Sequence, residues 1–371
     1  MKEFEIFAIN PGSTSTKIAL FKGDKCLFSK NVPHDAETLK QFPTISDQLA
    51  YRRNTITALL DESGVRLDAV DAFVGRGGGL MALEGGTYNI DDLLLDHARR
   101  GANGIQHPAN LGSQLAYDFA QTFGGRAFVV NPPDVDEFEL VARITGLSEV
   151  TRESRIHALN QKEIGIRYAG KIGRRYEDLN LVISHIGGGV SVTAHKNGRM
   201  IDSNDNVNGD GPMAPTRAGS IPAVALIKMC FSGKYSEKEL YGLITKNGGL
   251  VDLLGTANVR EVLDRIKNGD GRAKIVYDAM CYQIGKYIGA YAATLCGKVD
   301  AIILTGGIAN DDYLVDQIKK MVGFIAPVVV MPGEFEMEAM ASGAIRVLSG
   351  QEKTLSYTGI PVWDGVLKTN V

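Results

Sequence analysis

The chain is written in short apolar runs separated by compact polar turns. Runs rich in Val, Ile or Phe, bounded by Gly, Asn or Pro, predict strands at 4–10, 16–21, 26–32, 70–74, 126–131, 180–186, 190–195, 199–202, 300–305 and 325–331. Longer stretches with a helical period predict helices near 44–62, 91–99, 109–123, 153–170, 220–231, 236–245, 258–267, 272–296, 311–322 and 335–349. The strongest is 272–296, where Ile275, Ala279, Tyr282, Ile288 and Leu295 fall close to helical spacing. Strands interleaved with helices make this an α/β chain.

One supersecondary plan occurs twice. Residues 4–32 read as strand, polar turn, strand, a second turn at LFKGDKCL, and strand. Residues 180–203 repeat it as NLVISHI, GGG and VSVTAHKNGRMID, with Asn197-Gly198 as a hairpin signal. Two copies about half a chain apart predict two similar lobes facing each other.

Bulk properties narrow the function. With 371 residues the chain exceeds one simple core, so two domains are expected. A net charge of −3 gives no broad basic field for nucleic acid or an anionic membrane. No apolar run approaches the ~20 residues of a membrane span. MKEFEIFAIN carries acids and does not read as a signal peptide. Cys26, Cys230, Cys281 and Cys296 form no CxxC pair, so free thiols in a reducing cytoplasm are expected.

Candidate chemistry sits in the turns. Between the first two strands, NPGSTSTK offers Gly12, Ser13, Thr14, Ser15, Thr16 and the point charge of Lys17. Unhindered N–H groups, hydroxyls and a cation make an anion cradle, and phosphate is the usual anion. This is neither a P-loop nor a dinucleotide fingerprint: GxxxxGK[ST] and GxGxxG are both absent. SHIGGGVSV (184–192) places Gly187, Gly188 and Gly189 where backbone must approach something closely. LTGGIAND (304–311) puts Gly306 and Gly307 at a strand's C-terminal end, where a nucleotide can lie against backbone. Together the three turns predict a phosphate-bearing ligand held between two lobes.

These residues carry a family resemblance. NPGSTSTKIALF resembles the first phosphate motif of the acetate kinase family, within the actin and sugar kinase fold. SHIGGGVSV is similar to its second phosphate motif and LTGGIAN to its adenosine motif. GRGGGL (75–80), QHPANLG (106–112), RIHALNQK (155–162), NGDGPMAPTRAGSIP (208–222), CFSGK (230–234) and NGGLVDLLGT (247–256) resemble the butyrate kinase branch. The likeness runs from about residue 4 to 350.

The resemblance implies an α/β fold of two duplicated lobes with mixed sheets and an interlobe active-site cleft. The first lobe would span 1–150, with a C-terminal helix at about 335–371 returning to it, and the second 151–334. The implied reaction passes the γ-phosphoryl group between ATP and a short carboxylate, with Mg²⁺. Butyrate or a similar short or branched fatty acid is the expected substrate; the alternatives are acetate or propionate, or a nucleotide-binding homologue with weakened catalysis. A homodimer or larger homo-oligomer in the cytoplasm is expected, with no nucleic-acid or membrane partner.

The resemblance also assigns roles. Arg76 corresponds to the carboxylate-binding Arg and Arg217 to the Arg that reaches the transferring phosphoryl; a planar fork meets two oxygens at once. His107 and His157 match positions near phosphoryl and substrate, while His185 either orients the glycine loop or touches ligand. His34, His97 and His195 read as surface or packing residues. Asn10, Ser13, Ser15 and Lys17 form the first cradle. The metal contact is an acid near the C-terminus; among Glu334, Glu336 and Glu338 the match favours Glu336, with Asn10 beside it.

One position departs from the pattern. Where the family carries Asp after the strand 126–130, this chain reads VVNPPDVDE, with Asn131 at the Asp position and Asp134 where Val is usual. Three readings stay open: Asp134 takes over the role, the enzyme is slower or uses another acid, or the chain is a nucleotide-binding regulator that has lost turnover.

Overall fold

The computed structural model describes residues 2–365. Two compact units divide the chain: residues up to Asp136 together with those from Phe335 onward, and Glu137–Glu334. The division falls earlier than the expected 150. Glu137 explains it, because its carboxylate accepts Lys162 Nζ at 2.8 Å and the Met200 N–H at 2.8 Å, both in the second unit.

In the first unit, β1 (Glu5–Pro11), β2 (Ser15–Lys22), β3 (Lys25–Pro33), β4 (Ala72–Gly75), β5 (Thr87–Asn89) and β6 (Arg126–Val130) form one sheet in the order β3-β2-β1-β4-β6-β5. In the second, β7 (Asn180–Ile186), β8 (Val190–Lys196), β9 (Arg199–Ser203), β10 (Ala301–Thr305) and β11 (Val328–Val330) run β11-β10-β7-β8-β9. The plan is the same in both. An antiparallel meander opens each sheet, its first strand then pairs parallel to a later one (β1 with β4, β7 with β10), and a third parallel strand follows. Each meander also shifts register between its second and third strands. Both sheets are mixed, and the duplication legible in the two hairpins extends through five strands of each unit.

The centre of β1, Ile6 to Ile9, is a continuous apolar run because both its faces are covered. The helices Leu111–Phe123 and Glu336–Leu348 both pack on it, and Ile6, Phe7, Ala8 and Ile9 are fully buried. Full burial of each large side chain here contributes roughly 1.5–3 kcal/mol. Phe7 meets Phe119 and Phe73 edge-on at 5.7 and 6.1 Å.

The helix Gly271–Thr294 exists as expected, but it buries a different stripe. Tyr277, Met280, Cys281, Ile284, Ile288 and Tyr291 face inward, while Ile275 and Tyr282 are 65% and 57% exposed. The helix is apolar around much of its circumference, so its period alone does not fix which side meets the sheet. At the C-terminus the helix Glu336–Leu348 does not run on as the expectation for 335–371 had it. Leu355 instead pairs with Thr87 and Asn89 of β5, and the Tyr357 hydroxyl accepts the Met81 N–H at 2.8 Å. Residues 366–371 of that expectation lie outside the described residues.

The four cysteines are free thiols, Cys281 buried and the others exposed. Among the described residues no helix is long and apolar enough to cross a membrane.

Candidate active site

In the first unit the turn between β1 and β2 is closed by the Gly12 N–H donating to Ser15 O at 2.7 Å. Strand alternation buries Thr16 and Ile18 and leaves Lys17 exposed. Asn10 lies directly across the ladder from Lys17, so both stand on one sheet face. Asn10 Nδ2 donates to Glu336 Oε2 at 2.7 Å, and Arg76 Nε lies 3.6 Å from Glu336 Oε1. Asn10, Arg76 and Glu336, far apart in sequence, thus meet at the ends of β1 and β4 and the start of a helix. Glu338 is on the same helix, while Glu334 belongs to the second unit, near Gly187.

Arg76 is nearly buried, and its Nη1 reaches Asn131 O at 3.5 Å. The glycines after it serve the backbone rather than leaving open space. Gly77, Gly78 and Gly79 all have positive φ, and a Cβ on Gly77 would stand 2.6 Å from Val129 Cγ1. His107 caps a short turn, its Nδ1 accepting the Ala109 N–H at 3.1 Å. Partial desolvation, then the cations Arg76 and Arg52, lower its pKa. A neutral ring therefore presents Nε2–H outward.

Asn131 has a local reason of its own. Its φ is +38°, a conformation Asn tolerates better than most residues. Its Oδ1 accepts the Gly86 N–H at 2.8 Å and its own N–H donates to Gly86 O at 2.9 Å. Asp134 is buried and takes the Asn103 side-chain N–H at 2.5 Å.

Sequence reading missed Arg52. It is 0% exposed and, among the described residues, the largest fully buried side chain. Its guanidinium lies under the first cradle and donates to Gly12 O at 2.9 Å, Ser13 O at 3.4 Å, Thr16 Oγ1 at 3.2 Å and Gln48 Oε1 at 2.9 Å. None of these partners is a carboxylate. Burial pulls its pKa down to about 10, so it stays charged at neutral pH. On the helix 44–62 it reads as an ordinary polar position, and no local pattern marks it.

In the second unit the glycine turn lies between β7 and β8. The Gly187 N–H donates to Gly189 O at 2.9 Å, and Gly188 O accepts Thr216 Oγ1 at 2.9 Å. A Cβ on Gly189 would lie 1.3 Å from Arg217 Nη1, so only glycine lets this arginine cross the turn. Arg217 Nη1 donates to Asn206 Oδ1 at 2.9 Å. Desolvation lowers the Arg217 pKa, with Asp205 opposing it. The His157 and His185 rings stack at 3.9 Å, and His185 Nδ1 lies 2.8 Å from Asn160 Nδ2. An open groove of about 1070 Å³ is lined by Gly187, Gly188, Gly307, Ile308, Asn310 and Arg260, among others. Gly306 has φ +88° and pairs with Gly333. The second glycine turn and the LTGGIAN turn therefore share one wall. His34, His97 and His195 are all buried and hydrogen-bonded, hence packing rather than surface residues.

A duplicated sheet whose strand ends carry glycine turns and arginines defines the class: this is the acetate kinase fold. The chain matches acetate kinase of Porphyromonas gingivalis with a TM-score of 0.77 at 21% identity, over 93% of this chain and 100% of that one. It matches a propionate kinase from Francisella tularensis with a TM-score of 0.69 at 18% identity, over 91% and 98%. A family model described as the Acetokinase family matches residues 149–326. Butyrate kinase 2 of Clostridium acetobutylicum is 46% identical over 355 residues, covering 96% of this chain and 99% of that protein. The chain belongs to the acetokinase family.

Proposed function

We infer that this chain is a carboxylate kinase. It passes the γ-phosphoryl group reversibly between ATP and butyrate, or a similar short or branched fatty acid, giving an acyl phosphate. The observation that carries the reading is the near full-length similarity to a protein named as a butyrate kinase.

The residues suit that chemistry. A carboxylate nucleophile is ionised at neutral pH, its pKa being roughly 4, so no general base is needed. Its oxygen attacks the γ-phosphorus as the bridging P–O bond to ADP breaks. Catalysis then consists of positioning and charge neutralisation. Arg76 holds the carboxylate. Arg217, with His157, meets the equatorial oxygens of the moving phosphoryl. Gly12, Ser13, Ser15 and Lys17 in one turn, and Gly187, Gly188 and Gly189 in the other, receive the nucleotide phosphates, with His185 behind the second turn. The Gly306-Gly307 turn takes the adenosine. His107 donates from Nε2 near the carboxylate.

Mg²⁺ fits the same picture. Among the described residues no cluster of three or more His, Cys, Asp or Glu is set to hold a metal. A hard ion that keeps its waters and leans on substrate phosphates needs only one or two protein oxygens. Glu336, with Asn10 beside it, would supply them, and the ion would offset phosphate charge. Asp134 takes the Asn103 N–H and is the acid placed to take over from the family's Asp; Asn131 leaves the chemistry intact because no base is required. Homo-oligomeric assembly and a cytoplasmic location are inferred from the family alone.

Two measurements test this. Acyl phosphate formation, trapped with hydroxylamine across linear and branched acids of two to six carbons, is expected to peak at four or five carbons. A peak at two or three carbons moves the assignment to acetate or propionate. ATP binding without product from any acid favours a regulatory protein. Second, Arg76→Ala removes a charge-assisted hydrogen bond of about 1.5–3 kcal/mol. The KM for carboxylate should rise at least about tenfold, with nucleotide affinity little changed. A large loss of nucleotide affinity instead would sink the carboxylate role.

A further inference from the structure

His157 stands at one end of a buried hydrogen-bond chain in the second unit. Tyr176 Oη lies 2.6 Å from His195 Nδ1, and His195 Nε2 lies 2.9 Å from Gln161 Oε1. Gln161 Nε2 reaches Ser191 Oγ at 2.7 Å and Ser191 O at 3.2 Å. Ser191 Oγ then lies 2.8 Å from His157 Nδ1. Gln161, Ser191 and His195 are all 0% exposed.

One backbone carbonyl sets the direction of the whole chain. Ser191 O can only accept, so the Gln161 atom facing it is the amide nitrogen. Gln161 Oε1 must then accept from His195, whose Nε2 carries the proton and whose Nδ1 accepts from Tyr176. Burial, then Lys162, keep the His195 pKa well below its ordinary value, so that ring is neutral. The second Gln161 N–H goes to Ser191 Oγ. Among the described residues the Ser191 hydroxyl proton therefore has one partner within reach, His157 Nδ1.

The reverse arrangement is worse. If His157 donated from Nδ1, the fully buried Ser191 proton would have no acceptor, which is costly. That arrangement would keep the Asn206 N–H on His157 Nε2 at 3.4 Å, a long contact that does not outweigh a buried hydroxyl proton without an acceptor. Arg217 donates to Asn206 Oδ1, so Asn206 turns its N–H toward His157 Nε2, and in the Nε2–H form that amide gives up this contact.

We propose that Gln161 and Ser191 are positioning residues that lock His157 as the Nε2–H tautomer, a neutral donor to an oxygen of the transferring phosphoryl group. This rests on placing His157 at that group, as under the proposed function. The ring donates a hydrogen bond without giving up its proton, which suits a reaction that moves none. The polarity arises at Ser191 O and reaches the site through three side chains.

Nitrogen-15 spectra of histidine-labelled protein decide the tautomer without any variant, His157→Gln serving only to assign the signals. The expected result is a bare, pyridine-like Nδ1 and a protonated Nε2 at His157. A protonated Nδ1 overturns the proposal. In Ser191→Ala the two tautomers should mix and kcat should fall about tenfold or more, with KM for ATP and carboxylate within about twofold. Ser191→Cys, which keeps a weak donor, should recover part of the loss. Gln161→Met should act in the same direction. An unchanged kcat in Ser191→Ala with a mixed tautomer rejects the positioning role. Absence of any kinase activity would reject the proposed function while leaving the tautomer result standing.

Discussion

Arg217→Ala should lower kcat by about a thousandfold or more while ATP affinity changes less than about threefold. The first expectation follows from what an arginine does in phosphoryl transfer. Charge on the equatorial oxygens grows toward the transition state, and a planar fork offsets it across two oxygens at once. The second follows from the local build. The groove lined by Gly187, Gly188 and Gly307 does not depend on this side chain. Arg217 is only partly buried, and its removal leaves the Gly187 to Gly189 turn closed by its own hydrogen bond. Arg217→Lys should recover little, because a point charge cannot span two oxygens. Single-turnover rates with saturating ATP, beside nucleotide binding by calorimetry, make the test. Activity within tenfold of the parent would show that the phosphoryl clamp lies elsewhere.

Arg52→Met is expected to cost about 1–3 kcal/mol of stability for each buried acceptor it leaves without a donor, Gly12 O and Thr16 Oγ1 first among them. It should also remove most of the stabilisation that ADP confers. The guanidinium ties Gly12, Ser13 and Thr16 to the helix Leu49–Glu62. Without it, the carbonyls of Gly12 and Ser13 lose their buried donor, and the cradle has no fixed geometry. The charge matters as well as the scaffold. A buried cation whose partners are carbonyls, a hydroxyl and an amide leaves its positive field under the turn uncompensated, which favours an anion above it. Arg52→Lys keeps the charge but cannot reach all four acceptors, so it should retain more ADP-linked stabilisation than Arg52→Met at similar loss of intrinsic stability. Urea unfolding with and without ADP reads both. Equal ADP stabilisation in parent and Arg52→Met would show that Arg52 is scaffold alone.

Much of the molecule was legible because its signals are local. β1 is covered at its centre and reads there as a continuous apolar run. Asn197-Gly198 makes a hairpin because both residues accept positive φ, +52° and +74° here. The glycine turns at 187–189 and 306–307 announce themselves because backbone there must come close to something. Conserving those signals in two copies was enough to expect two similar sheets.

Other features depended on contacts far apart in sequence. Nothing in the helix 272–296 says that Tyr277 faces inward and Ile275 outward, because packing against β7, β8 and β9 makes that choice. The short strand Thr87–Asn89 went unread, since three residues give no period and its pairing comes from β6 and Leu355. Asn131 looked like a lost acid; its positive φ and its clamp on Gly86 show a backbone requirement that composition does not reveal.

The sequence by itself determined the element types, the duplication, the glycine turns and the two arginines, since each is written in adjacent residues or fixed spacings. Only the tertiary structure decided that Glu336 meets Asn10 and Arg76, that Arg52 lies buried under the first turn, and that Gln161 and Ser191 reach His157. Those pairings join residues whose partners are set by how the chain closes on itself, and hydrogen-bond direction exists only once donors and acceptors stand within about 3 Å of each other.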